Sequence, residues 1–223
     1  MSILKENYKL SNGVDIPKLG FGTWQIPDGS AVYKAVSWAL EAGYRHIDTA
    51  RIYGNESGVG RAVRDAGIPR EDVFVTSKLP AEIKNYEEAL KSFDETMDTL
   101  ALDYLDLYLI HAPWPWDEIG KDCTQGNIEV WGALEHIYKS KRCRAIGVSN
   151  FEVSDLKAVI ASSHIKPMVN QIKYYIGNTQ EEVCNFCRKE NICIVGYSPL
   201  ARGAVLDNKK IKDMAAKYNK NAA

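Results

Sequence analysis

Four side chains of chemically useful type stand at short intervals in the first half of the chain: Asp48, Tyr53, Lys78 and His111. A phenol has a pKa of about 10 and is a poor acid at neutral pH. A lysine ammonium beside it favours the phenolate and lowers that pKa. Asp48 can pair with the lysine and keep it charged and fixed, while His111 can hydrogen-bond a substrate oxygen from the side. A phenol beside a cation, with a second donor, suits protonation of an oxygen that is gaining negative charge. Such charge develops when hydride reaches a carbonyl. Asp48, Tyr53 and Lys78 can also be fitted to a Schiff-base aldolase with Lys78 as nucleophile. Taken singly, each residue has a plainer use: a tyrosine packs, an aspartate caps a turn, a lysine is a surface charge. His46 reads as a core histidine.

The elements around these residues must gather them. Short apolar runs rich in Val, Ile, Leu and Tyr recur at residues 19–21, 45–47, 73–76, 105–110, 144–148, 168–171 and 193–196. Many are continuous rather than alternating, as strands buried on both faces read. Helical patterns lie between them, at residues 31–42, 56–66, 86–100, 128–139, 154–162 and 179–190. Asp28 and Ser30 are expected to start the first helix and Asn178-Thr179 the sixth, with Gly43 and Gly67 at helix C-termini. An Asn12-Gly13 turn between residues 8–10 and 14–16 predicts an opening hairpin.

This alternation implies a parallel sheet with right-handed crossovers. A doubly wound sheet and a (β/α)8 TIM barrel both fit it. The polar residues decide: Asp48, Lys78, His111, Ser149 with Asn150, Gln171 and Tyr197 end successive runs. Strand ends of an open sheet spread along a line, whereas those of a barrel converge on one face. A barrel is predicted, with residues 1–223 as a single domain.

Composition narrows the partners. Of 223 residues 45% are hydrophobic and 26% charged, which excludes a disordered chain, and a net charge of −1 gives no electrostatic footprint for nucleic acid. No apolar stretch approaches the length of a membrane span. The first twenty residues carry Lys5, Glu6, Lys9, Asp15 and Lys18 rather than an apolar leader. Five scattered cysteines do not suggest a disulfide framework, and a cytoplasmic setting is expected. Cys184 and Cys187 form a C-x-x-C inside the sixth helical pattern and read as two helix-face thiols. Four scattered histidines give no metal-site spacing.

Several longer motifs occur in one order: Leu19-Gly20-Phe21-Gly22-Thr23-Trp24, Gly43-Tyr44-Arg45-His46-Ile47-Asp48-Thr49-Ala50, Tyr53-Gly54-Asn55-Glu56 and Thr76-Ser77-Lys78-Leu79. Leu105-Asp106-Leu107-Tyr108-Leu109-Ile110-His111, Arg144-Ala145-Ile146-Gly147-Val148-Ser149-Asn150-Phe151, Val169-Asn170-Gln171-Ile172 and Gly196-Tyr197-Ser198-Pro199-Leu200 follow. In these the chain resembles the aldo-keto reductases, most nearly microbial members of the 2,5-diketogluconate-reductase and prostaglandin-F-synthase types. The resemblance implies a barrel that reduces aldehydes and ketones with NADPH. It makes Tyr53 the general acid, Lys78 the cation that lowers its pKa, Asp48 the support of Lys78, and His111 the residue that orients the carbonyl. Ser149, Asn150 and Gln171 match residues holding the nicotinamide carboxamide, Tyr197 the aromatic stacked on its ring, and Ser198 and Leu200 positions at the pyrophosphate. Thr23 and Trp24 line the same cleft, and Trp114 with Trp116 is expected to form an aromatic wall for substrate, a purely packing role being an equal alternative for Trp116. Trp38 and Trp131, inside helical patterns, are expected in the core.

The resemblance also implies more chain than is present. The last strand and helix of such a barrel, with the basic residues that grip the adenosine 2′-phosphate, are expected to be missing beyond Ala223. The barrel edges would then be open to self-association. A truncated reductase fold serving as a non-catalytic binding or scaffold protein is the competing expectation.

Overall fold

The structure is a computed structural model and describes residues 2–222. The chain opens with an antiparallel hairpin of β1 (Asn7–Lys9) and β2 (Asp15–Pro17), as the Asn-Gly turn predicts. Gly13 takes φ +88°, a conformation costly for any residue with a Cβ. Asn12 Nδ2 reaches the Arg144 carbonyl, 2.9 Å away, and ties the hairpin to the larger sheet.

That sheet has seven strands, all parallel and in chain order: β3 (Phe21–Gly22), β4 (His46–Asp48), β5 (Phe74–Leu79), β6 (Leu107–Ile110), β7 (Ile146–Ser149), β8 (Val169–Lys173) and β9 (Cys193–Tyr197). Every residue of β5, β6 and β7 is buried; β6 accordingly reads as an unbroken apolar run, while β5 buries Thr76, Ser77 and Lys78 as well. The sheet is curled. Gln171 on β8 donates to Asp48 on β4 across 2.7 Å, although four strand spacings would separate them by about 19 Å if the sheet were flat. Most strands begin and end one or two residues later than the apolar runs suggest. The shift carries β4, β5, β7 and β9 into their polar residues Asp48, Lys78, Ser149 and Tyr197.

Helices α1 (Ser30–Glu41), α2 (Glu56–Asp65), α3 (Tyr86–Leu100), α4 (Thr124–Lys139), α5 (Val153–Ser162), α6 (Glu181–Lys189) and α7 (Lys209–Lys217) alternate with the strands. The Asn85 side chain caps α3 by accepting from the amides of Glu87 and Glu88, and those two carboxylates complement the helix dipole. Two predicted starts are corrected. Asp28 does not cap α1; it accepts from the Gly58 amide at 3.0 Å and so joins the β3–α1 loop to α2. Asn178 gives its amide to the Lys173 carbonyl, and Gln180 occupies the N-cap of α6. Gly43 and Gly67 follow their helices with positive φ, as expected. Helix α4 starts four residues before its apolar period, because its first turn is polar. Helix α7 buries no residue.

Trp131 is buried and donates to the Ile165 carbonyl at 2.9 Å. Trp38 contradicts the expectation of a core residue: it is 64% exposed on α1, whose buried side is formed by Val32, Val36, Ala39 and Leu40. His46 is buried as expected, its Nε2 2.9 Å from Thr76 Oγ1.

A second ionic feature lies near the N-terminal ends of the central strands. Buried Asp106 takes Arg70 at 2.8 Å, Arg144 at 2.7 Å and the Val75 amide at 2.9 Å. Asp106→Ala would leave these donors unpaired. The expected loss is about 2–3 kcal/mol, below the range for a wholly buried pair because Arg144 is partly exposed. For a chain of this size that lowers Tm by about 5–10 °C in a circular-dichroism melt.

Candidate active site

The polar residues at the C-terminal strand ends converge. Asp48 is the last residue of β4, Lys78 the penultimate residue of β5, and His111 directly follows β6. Ser149 ends β7 with Asn150 after it, Gln171 lies in β8, and Tyr197 ends β9 with Ser198 after it. Tyr53 closes a short 3-10 turn, Arg51–Tyr53, between β4 and α2. They meet at a cleft of about 690 Å³.

Lys78 is fully buried. Its Nζ donates to Asp48 Oδ1 at 2.5 Å and to the Thr49 carbonyl at 2.8 Å. The other Asp48 oxygen accepts from Gln171. Burial alone would raise the Asp48 carboxyl and lower the Lys78 ammonium. Their mutual attraction outweighs it, so the carboxyl lies below and the ammonium above its usual range. Lys78 Nζ lies 5.2 Å from the centre of the Tyr53 ring. The phenol departs from the simple expectation: burial pushes its pKa up, and the charge and hydrogen bond of Lys78 pull it back only in part. Tyr53 therefore keeps its proton at neutral pH, with a cation in place to stabilise the phenolate.

The His111 ring stands 5.6 Å from that of Tyr53, edge to face. Burial and the Lys78 charge bring its pKa down to about 3, so the imidazole is neutral. Trp116 packs edge-on against His111 at 5.4 Å and lines the cleft. Trp114 does not line it; it supports Trp116 from behind at 5.2 Å.

On the other side, one hydrogen-bonded chain runs across four strand ends, those of β6, β7, β8 and β9. Tyr197 donates to Asn150 Oδ1 at 2.8 Å, and Asn150 Nδ2 donates to Ser149 Oγ at 3.1 Å and the His111 carbonyl at 3.0 Å. Ser149 in turn donates to the Gln171 carbonyl at 2.8 Å. Asn150 holds φ +62°, which asparagine tolerates better than most residues, and its amide is used at both ends. Trp24 and Ser198 line the cleft. Thr23 and Leu200 do not: Thr23 is buried behind it, bonded to the Asp48 carbonyl, and Leu200 is partly exposed.

Four lining residues were not picked out in the sequence: Gly22, Gln25, Ile52 and Arg202. The Arg202 guanidinium lies 4.5 Å from the Trp24 ring centre, a contact no local pattern signals. Asn55, third in the Tyr53-Gly54-Asn55-Glu56 motif, has a role that no local pattern signals. Fully buried, it donates to the Thr23 and Ile26 carbonyls at 2.9 Å each and accepts from Thr49 at 2.9 Å. It thereby joins the loop carrying Trp24 to the segment carrying Tyr53.

The Aldo/keto reductase family model matches residues 18–222. The chain belongs to the aldo/keto reductase family. It is 43% identical to the glyoxal reductase of Bacillus subtilis over 220 residues, covering 99% of this chain and 76% of that protein. It is 45% identical to the 9,11-endoperoxide prostaglandin H2 reductase of Trypanosoma cruzi over 217 residues, with 96% and 74% covered. A solved Bombyx mori aldo-keto reductase in complex with NADP superposes with a TM-score of 0.85 at 32% identity, covering 97% of this chain and 77% of that one.

As in other aldo/keto reductases, the chemistry available to the cleft is that of its donor set. Hydroxyl and amide groups of Ser149, Asn150 and Gln171 suit a carboxamide, the Tyr197 ring offers a face, and Arg202 offers a cation to phosphate. Among the described residues no group of His, Cys, Asp and Glu could hold a metal, and no helix is long and apolar enough to cross a membrane.

Lys78→Met tests the electrostatics without turnover. The folded Asp48 carboxyl is depressed, so its stabilising contribution is present above its unfolded pKa of about 4 and lost as pH falls through the folded value. Without Lys78, burial raises that carboxyl instead. A folded carboxyl above its unfolded value gains stability as pH falls, so the acid-side loss of Tm that Asp48 contributes in wild type should be absent or reversed in the variant when both are melted across an acid series.

Proposed function

We propose that this oxidoreductase reduces aldehydes and ketones to alcohols, with NADPH as the hydride source and Tyr53 as the general acid. The observation that carries the reading is the buried Asp48–Lys78 pair set against a protonated Tyr53, with neutral His111 beside it at one cleft. The bound cofactor supplies hydride to the carbonyl carbon. His111 orients the carbonyl oxygen, and Tyr53 transfers its phenolic proton to that oxygen as it becomes an alcohol. Lys78 stabilises the phenolate left behind, and Asp48 with the Thr49 carbonyl holds Lys78 in place. Trp24, Ile52 and Trp116 exclude water and contact the substrate.

Ser149, Asn150 and Gln171 would hold the nicotinamide carboxamide, Tyr197 its ring, and Ser198 with nearby Leu200 the pyrophosphate. Thr23 supports this wall from behind. The NADP complex of the silkworm relative and the carbonyl-reducing name of the Bacillus one support this assignment. Lys78 is ill placed for a Schiff base: it is fully buried, charged and lies behind the cleft-lining Asp48 and Tyr53. The curl of the sheet fits a single barrel domain in which an eighth strand would sit between β9 and β3.

Tyr53→Phe removes one hydroxyl. Reduction of a small aldehyde should fall by about 10²–10⁴ while NADPH affinity, measured by fluorescence titration, stays near wild type. Near-normal turnover in this variant would overturn the assignment of the acid.

A further inference from the structure

Lys84 is a half-buried cation that the chemistry above leaves unused. It lies in the loop between β5 and α3, outside the cleft lining. No carboxylate among the described residues lies within 4.0 Å of its ammonium. Instead, Nζ donates to the Ala112 carbonyl at 3.1 Å and to Asn127 Oδ1 at 2.8 Å. Asn127, buried in the first turn of α4, passes its own amide to the Pro113 carbonyl at 2.9 Å.

The result is an unbroken series of grips on the segment that leaves β6. The His111 amide donates to the Leu79 carbonyl at 3.1 Å, and the His111 carbonyl accepts from Asn150. The next carbonyl is held by Lys84 and the one after it by Asn127. Glu82, two residues before Lys84, accepts from the Trp116 amide at 3.3 Å. One loop after β5 therefore holds the next loop at two points, and both bear on the wall made by His111 and Trp116. Gly126 makes room for this. A Cβ there would come within 2.6 Å of the Lys84 Cβ, so the lysine stem passes α4 only because that position lacks a side chain.

We infer that Lys84, acting with Asn127, is a positioning residue for carbonyl reduction, fixing the backbone just after His111 and with it the aromatic wall of the substrate pocket. This rests on the carbonyl-reductase reading only for its kinetic consequences; the clamp itself is a property of the fold. A charged donor is the right group to hold two oxygens that carry only partial charge, since charge-assisted hydrogen bonds are stronger than neutral ones. Burial brings Lys84 down to about 8, against the weaker pull of the Cys123 thiol before α4, Glu82 on its own loop and Asp155 on α5. The clamp therefore loses its charge as pH rises through that value.

Two measurements on the full chain decide it. The first needs no turnover: amide hydrogen exchange of residues 112–123 in wild type, Lys84→Met and Asn127→Ala. Exchange should quicken in that segment in both variants while the central strands stay protected. Unchanged exchange in 112–123, or equal acceleration throughout the molecule, would overturn the inference even if wild type proved inactive on carbonyls. The second is kinetic. Lys84→Met should raise KM for a small aldehyde about tenfold, the scale of one charge-assisted hydrogen bond, with a smaller change in kcat. NADPH affinity should stay near wild type. In wild type KM should climb as pH passes about 8. Lys84→Arg, charged throughout, should keep KM low and remove that climb. A wild-type KM in Lys84→Met, or a pH step that survives in Lys84→Arg, would overturn it.

Discussion

The buried contact between Asp48 and Lys78 organises the rest of the site. Two opposite charges removed from water are costly unless each finds further partners. Here each does: Lys78 also reaches the Thr49 carbonyl, and Asp48 also takes the Gln171 amide. Breaking any one of these contacts would leave a charge or dipole stranded in a dry interior. The set therefore holds β4, β5 and β8 in one relative position, and an ammonium is placed beside the Tyr53 phenol as a consequence.

Curvature lets three such distant segments share one carboxylate. Around the mouth, side chains at strand ends bond to one another: Tyr197 of β9 reaches past β8 to Asn150, Asn150 bonds Ser149 beside it at the end of β7, and Ser149 bonds the Gln171 carbonyl of adjacent β8. Loops beyond the strands are held by the same means, Asn55 under the Trp24 loop and Lys84 with Asn127 under the segment after His111. A cleft built on loops is thus fixed by hydrogen bonds from buried amides and one half-buried ammonium.

The two ends of the strands divide their work. At the N-terminal end Asp106 gathers Arg70, Arg144 and the Val75 amide. At the C-terminal end the ion pair opens onto space large enough for a ligand. One charge cluster ties strands together at their N-terminal ends; the other borders the proposed site at their C-terminal ends, the arrangement expected of a parallel barrel.

The sequence by itself determined what depends on local periodicity and on position along a strand. Short apolar runs marked the beginnings of β5 and β7 and the whole of β6, because those strands are buried on both faces. Polar residues closing each run marked Asp48, Lys78, His111, Ser149, Asn150, Gln171 and Tyr197 as neighbours, because a curled parallel sheet brings its strand ends together. Tertiary structure alone decided what depends on packing between segments remote in sequence. Trp38 sits within a helical pattern like Trp131, yet only the packed helix shows which faces solvent. Asp28 has the chemistry of a cap but spends it on a different helix. Trp116 rather than Trp114 reaches the cleft, Arg202 comes to rest near Trp24, and Lys84 finds two oxygens more than twenty-five residues away. Such contacts are set by three-dimensional distance, and no spacing along the chain encodes them.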